Sequence, residues 1–274
     1  MPTATPRPAG KSEFPWWLVA ALVLAAAAAA AIFASDLYSQ VFATVAKGIG
    51  ITIAVTLVAF AAASAIGLGI ALMALSGSAW LRQTARFYVE IIRGVPILVL
   101  LFWIAFAGVP VFVAGWNFST APLQEAGLLG ALQVRDVSLL WRAVIALAIA
   151  YSSFIAEIFR AGIQSVDAGQ IEAGKALGLS RYRRFRHIVG PQAFRTILPP
   201  YSNDFVSMVK DSSLVSVLGV ADITQMGKVY AAGSFRFFET YSIVAYIYLV
   251  LTVGLSMALR ALERRMRRGG GGSG

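Results

Sequence analysis

The chain has 274 residues, 58% of them hydrophobic and only 13% charged, which is more apolar surface than a soluble fold of this length can hide. A net charge of +10 would suit nucleic acid, but in a polytopic membrane protein such an excess collects in the loops on one side. With no cysteine and one histidine, His187, the chain offers no disulfide, no thiolate site and little material for a histidine metal site.

The Pro-rich residues 1–14 read as a tail. Within them AGKS at 9–12 imitates the end of a phosphate-binding loop, but the glycine five positions before Gly10 is missing and no strand precedes it. The chain therefore shows no means of hydrolysing ATP itself. A spanning helix needs roughly 20 mostly apolar residues, and six segments are taken as spans. Residues 15–34, PWWLVAALVLAAAAAAAIFA, are too long for a signal-peptide core and are followed only by the weak cleavage run ASDLYSQ, so they read as a retained helix. Residues 48–74 follow, rich in the small side chains that let membrane helices approach closely. The third span is placed from Tyr88 to Ala107 through RGVPILVLLFWIAF, with Tyr88, Trp103 and Trp141 as interface residues. The fourth covers 141–159 and the sixth 241–259. The fifth, 200–220, is polar for a span and is expected to be broken. The closing GGGGSG, 269–274, reads as an appended linker.

Orientation follows from the lysines and arginines. Placing the N-terminus in the cytoplasm puts sixteen of the 23 on that side, among them Lys175, Arg181, Arg183, Arg184, Arg186, Arg195 and those of the RRMRR tail. Five, Lys47, Arg135, Arg142, Lys228 and Arg236, fall opposite, while Arg93 and Lys210 are assigned to neither side. Both termini are then cytoplasmic, and nucleic acid is not needed to explain the charge.

The longest cytoplasmic loop contains EAGKALGLSRYRRFRHIVGP, 172–191. It reads as a short helix, a turn at Gly178, a cap at Ser180, and a basic helix ended by Gly190 and Pro191. A basic loop lying against anionic head groups would account for the charge. Its apolar content argues instead for docking on a partner protein, because a short helix with an uncovered apolar face outside the membrane needs a surface to cover it.

In the fifth span, charged residues cost about 2.5–3.5 kcal/mol each at a helix centre, so Asp204, Lys210 and Asp211 need a reason. At helical spacing Asn203, Ser207 and Lys210 share one face, with Asp204 and Asp211 on the next. A Lys210 pairing with Asp211 or Asp204 would be purely structural. Alternatively the surface offers donors and acceptors to a zwitterion, with Ser212 and Ser213 breaking the helix toward a cavity. Glu157, Arg160 and Arg93 are further candidates nearer the cytoplasmic end, as substrate contacts, gates or loop anchors.

The spacing of Glu172, Ala173, Gly174, Gly178, Ile188 and Pro191 resembles the EAA loop of bacterial ABC importer membrane subunits, departing from it at Gly174 and Gly190. RGVPILVLLFW, AEIFRAGIQSVDAGQIEAGKALGLS, GPQAFRTILPP and VKDSSLVSVLGVADIT are similar to the polar amino acid importers of the histidine, glutamine, glutamate and arginine group. The resemblance covers 45–265 with the loop at 168–200. It implies an all-α integral membrane fold, a five-helix core plus one extra N-terminal helix, about six spans in all, and a cytoplasmic coupling-helix loop. It further implies a bacterial inner membrane location and a non-catalytic translocation subunit. Glu172, Ala173, Gly174, Gly178, Ile188 and Pro191 would couple to a cytoplasmic ATPase dimer, which carries ATP and Mg; this chain would bind no cofactor. The other implied partners are a second permease subunit, identical or homologous, a periplasmic or extracellular substrate-binding protein, a polar amino acid and the lipid bilayer. A secondary transporter would explain the buried charges but not the docking loop; a membrane scaffold would explain the loop but not the polar fifth span.

Overall fold

The computed structural model describes residues 16–268; the sequence readings on 1–15 and 269–274 lie outside the described residues. The chain is helical, in the order α1 (Trp16–Ala34), α2 (Asp36–Val45), α3 (Ile49–Ala74), α4 (Ala79–Gly94), α5 (Ile97–Trp103), α6 (Val109–Glu125), α7 (Leu139–Gln164), α8 (Ala168–Ala176), α9 (Arg181–Arg184), α10 (Gly190–Asp211), α11 (Ile223–Ser234) and α12 (Phe237–Arg268). Among the described residues, four helical stretches are long and apolar enough to cross a membrane: Asp36–Ala74, Ile97–Glu125, Leu139–Gln164 and Phe237–Met266. A shorter apolar helix covers Leu22–Ala34.

The centre of the molecule is α7 packed along α3. Ala59, Ala63, Gly67 and Ala71 recur every fourth residue of α3 and are all buried. A side chain at Gly67 would meet Ile155 and the Ser152 carbonyl at about 3.0 Å. This small-residue seam brings the backbones together, which is how membrane helices gain dispersion energy without a hydrophobic driving force. Leu101, Leu147, Tyr151, Ile155, Met208 and Val215 complete this core. A second core joins Ile32, Val41, Val45, Ile223 and Ile243, and so seats α1 against α2, α11 and α12.

Three boundaries differ from the sequence reading. The third span does not start at Tyr88. The chain breaks at Gly94–Pro96, where Val95 is extended, as a residue preceding proline prefers to be, and the span runs from Ile97 to Glu125. Tyr88 is half-buried in α4 and shares a 2.7 Å hydrogen bond with Ser152, so it ties helices together and is not an interface marker. The basic helix is not ended by Gly190 and Pro191; α9 continues through a π turn, Phe185–Val189, directly into α10. The fifth helical segment therefore begins at Gly190, ten residues before the expected start. The expected break is present: α10 passes into a 3₁₀ turn, Ser212–Leu218, ended by Gly219 in the left-handed region.

The same device carries the chain through both Gly-Val-Pro and Gly-Pro. Pro110 follows the π turn Ile104–Gly108 and Pro191 follows Phe185–Val189. A proline ring clashes with the carbonyl four residues back, and a turn widened by one residue makes room for it. Gly190 belongs to this arrangement, since a Cβ there would lie 2.9 Å from the Phe185 carbonyl oxygen.

Arg142 fixes the first π turn. The side chain, 9% exposed, donates to the carbonyls of Val137 (2.8 Å), Ala105 (3.0 Å) and Val134 (2.5 Å), binding the loop before α7 to the widened helix. Arg142→Met is expected to lower stability by about 2 kcal/mol, because carbonyls lose their donor in a buried site. A thermal melt of the detergent-solubilised variant that matches the parent would contradict this role.

Candidate functional site: a charged cavity and an outward helix

Helices α4, α7 and α10 converge on a cavity of about 360 Å³ lined by Arg93, Phe154, Glu157, Ile158, Ala161, Gly162, Thr196, Pro200 and Asp204. Its size falls within the roughly 300–1,000 Å³ typical of small-molecule sites. At Gly162, one of its lining residues, α7 and α10 cross so closely that a Cβ would lie 2.2 Å from Ile197 Cγ1. Pro199 and Pro200 lie inside α10, so the carbonyls of Arg195 and Thr196 lose their helical N–H donors, and Thr196 lines the cavity.

The charges are arranged unequally. One carboxylate oxygen of Asp204, Oδ2, is buried and has no hydrogen-bond partner. Both carboxylate oxygens of Glu157 accept from Arg160, which also donates to Gln164 at 2.5 Å. Arg93 sits over the ring of Phe154 at 5.3 Å and acts electrostatically on both Asp204 and Glu157. Glu157 also borders a second cavity of about 500 Å³ that leads past Arg86, Glu90 and Arg160 to Arg82. A guanidinium, an unsatisfied carboxylate and an aromatic wall together suit a zwitterion: Arg93 for a carboxylate, Asp204 for an ammonium.

The structure thus brings together Arg93, Glu157 and Asp204 and separates them from the rest of the fifth-span candidates. Asp211 accepts a 2.7 Å hydrogen bond from the Tyr151 hydroxyl. Ser212 is fully buried and donates to the Val209 carbonyl, so it faces the core and not a ligand. Ser213 is half-buried. Among the described residues no ion pair joins Lys210 to Asp204 or Asp211. Asn203 and Lys210 are exposed on one face of α10, with Ser207 half-buried between them. A lone ammonium is too costly to hold against acyl chains, so this face requires water or another chain.

The loop is built from a small core of its own. Val166, Val189 and Ala193 are buried, with Ile163, Ile171, Ile188 and Ile197 packed on them. Asp167 caps α8 through the Gln170 N–H, Gly178 turns the chain at φ 71°, and Ser180 caps α9. Gly174 faces inward, not toward a docking partner: a Cβ there would lie 2.7 Å from Ile188 Cδ1 and 3.3 Å from Arg184. What α8 and its C-cap present outward is Glu172, Ala173, Ala176 and Leu177, the last 80% exposed. Glu172 holds an exposed 2.6 Å ion pair with Lys175. Pro191 is exposed.

Asp222 escaped sequence reading. It is fully buried, caps α11 through the N–H groups of Gln225 (2.8 Å) and Thr224 (3.1 Å), and accepts from the Tyr248 hydroxyl. Beside it the Ile223 N–H donates to Thr52, and Gly48 permits contact so close that a Cβ would lie 2.4 Å from the Asp222 carbonyl carbon. The Asp-Ile-Thr opening of a helix was the available signal.

Residues 63–268 match the family described as "Binding-protein-dependent transport system inner membrane component". The chain is similar to the "Probable amino-acid permease protein YxeN" of Bacillus subtilis (strain 168), 34% identical over 83% of this chain and 93% of that protein. It is also similar to the "Glutamine transport system permease protein GlnP" of Escherichia coli (strain K12), 37% identical over 73% and 84%. Among solved structures, an amino acid ABC transporter crystallised with histidines superposes with a TM-score of 0.68 at 35% identity, over 85% of this chain and 98% of that one.

Proposed function

The chain belongs to the family of binding-protein-dependent transport system inner membrane components, and from that premise we propose how it works. It is the permease component of an amino acid ABC transporter. Two such subunits, two copies or a pair of relatives, enclose a pathway for a polar amino acid released by a binding protein, and ATP is hydrolysed with Mg on a cytoplasmic ATPase dimer. The observation that carries this reading is α8, a short helix fastened to the bundle through Gly174 and Ile188 while Ala173, Ala176 and Leu177 remain exposed. Such a lever transmits closure of the ATPase to α7 and α10, between which the charged cavity lies.

In the cavity the substrate carboxylate meets Arg93 and its ammonium meets Asp204, while Glu157 and Arg160 separate it from the second cavity. The exposed Asn203 and Lys210 face the pathway shared with the second subunit, and both termini lie in the cytoplasm. Expressed in its bacterial membrane, the chain should co-purify with an ATPase whose turnover rises several-fold when binding protein and amino acid are added together. An ATPase-free preparation that accumulates amino acid in proteoliposomes would replace this reading with secondary transport.

A further inference from the structure

Residues 173–203 contain six lysines and arginines and no aspartate or glutamate. Among the described residues the only ion pair made by these six is that of Lys175 with Glu172. Arg184 turns back to the Leu179 carbonyl and Arg186 to the Tyr182 hydroxyl, while Arg181, Arg183 and Arg195 are exposed. Aromatic side chains alternate with these arginines and are left uncovered: Tyr182 is 68% exposed, Phe185 52% and Phe194 49%.

The other side of the same rod is buried, with Val189 and Ala193 in the loop core. Because the π turn keeps α9 and α10 continuous, the rod has one inner and one outer side from Ser180 onward. The fourteen residues from Tyr182 to Arg195 span about 20 Å of helix, and the rod then continues into the charged span. It therefore has to cross the layer of lipid head groups. Arginines that extend toward phosphate and aromatics that sit at the boundary of the acyl region are the pairing that layer selects. An ATPase would dock on α8, where the exposed Glu172, Ala173, Ala176 and Leu177 offer an acidic and aliphatic surface.

We propose that the outward side of α9 and the start of α10 is a binding site for the phosphate head groups of anionic phospholipids, with Arg181, Arg183 and Arg186 as its cations and Tyr182 and Phe185 seated among the glycerol and upper acyl groups. Lipid held there fixes the second half of the coupling loop to the leaflet, so that movement of α8 pivots against an anchored helix.

The test is lipid retention by the purified chain in its complex, followed by native mass spectrometry during titration with phosphatidylglycerol or phosphatidylcholine. The unaltered chain should retain phosphatidylglycerol at least tenfold better, and R181Q/R183Q/R186Q should lose that preference while binding phosphatidylcholine as before. R181K/R183K/R186K should largely keep it. At about 1 M salt, where the screening length is ~3 Å, the unaltered chain should lose the preference as well, which tests the site even if the glutamine variant folds poorly. An unchanged preference in the glutamine variant, or full competition by inorganic phosphate at equal concentration, would overturn the proposal. Loss of ATPase association with lipid preference intact would assign the surface to a protein partner instead.

Discussion

Replacing Asp204 with asparagine is expected to reduce amino acid uptake by roughly 10- to 100-fold, since a hydrogen bond from an ammonium to a carboxylate contributes about 1.5–3 kcal/mol. The substitution conserves shape, so the cavity and the packing of α10 on α7 remain. It also has an unusual advantage. Asp204 Oδ2 has no partner within the protein, so neutralising it strands no donor and should leave thermal stability equal to or above the parent. A carboxylate with a purely structural role would show the reverse, a loss of stability with transport following it. Uptake into proteoliposomes and a melting curve on the same preparation separate the two. Normal uptake by Asp204→Asn would remove this carboxylate from the pathway. Lys210→Met is a useful companion. With no ion pair to either aspartate, it should fold normally, and any fall in transport then reports on the exposed face of α10 and not on a stranded charge.

The class of the protein and its helical segments were legible because the bilayer imposes one length scale on apolar runs, and α3, α7 and α12 obey it without interruption. The loop was legible for a different reason: the glycine turn at Gly178 and the cap at Ser180 act over three or four residues and are visible as local spacing. What escaped was decided at longer range. Pro191 reads as a stop, and the passage of the third span beyond Ala107 through Pro110 goes unseen, because the compensating π turns leave no simple pattern of their own. Arg142 was counted only as a charge on the side opposite the cytoplasm, since nothing local shows that three carbonyls from two segments gather around it. The fifth span stood out by its charges, and its residues were grouped by adjacency along one helix. The cavity instead takes one residue from each of three helices, Arg93, Glu157 and Asp204, and a shared site of that kind is written in the crossing of α7 and α10 at Gly162 and not in any single segment. Gly174, a departure from the motif it sits in, turned out to be the residue that the packing against Ile188 requires.

Two kinds of change in α8 should stop transport by different routes, and their comparison is the strongest check on the loop. Ala173 is exposed, so Ala173→Trp leaves the loop core untouched and adds bulk only where a partner would lie. The complex should then assemble poorly, or hydrolyse ATP without moving substrate, and uptake should fall at least tenfold while the melting temperature of the isolated chain is unchanged. Glu172→Arg breaks an exposed ion pair worth about 0–1 kcal/mol, so it too should be neutral for folding, and it would reverse the charge that the loop offers to the ATPase. Gly174→Val acts from the other side. Its Cβ would press on Ile188 Cδ1 at 2.7 Å and on Arg184, which must displace α8 from the core formed by Val166, Val189 and Ala193. The expected cost is about 1–3 kcal/mol of local stability, seen as faster amide exchange in 168–189 with α3 and α7 unaffected, and uptake should fall although every outward side chain is retained. Uptake and ATPase association that stay normal in both Ala173→Trp and Glu172→Arg would show that α8 does not carry the coupling. Loss of uptake confined to Gly174→Val would show that the position of the loop matters more than the surface it presents.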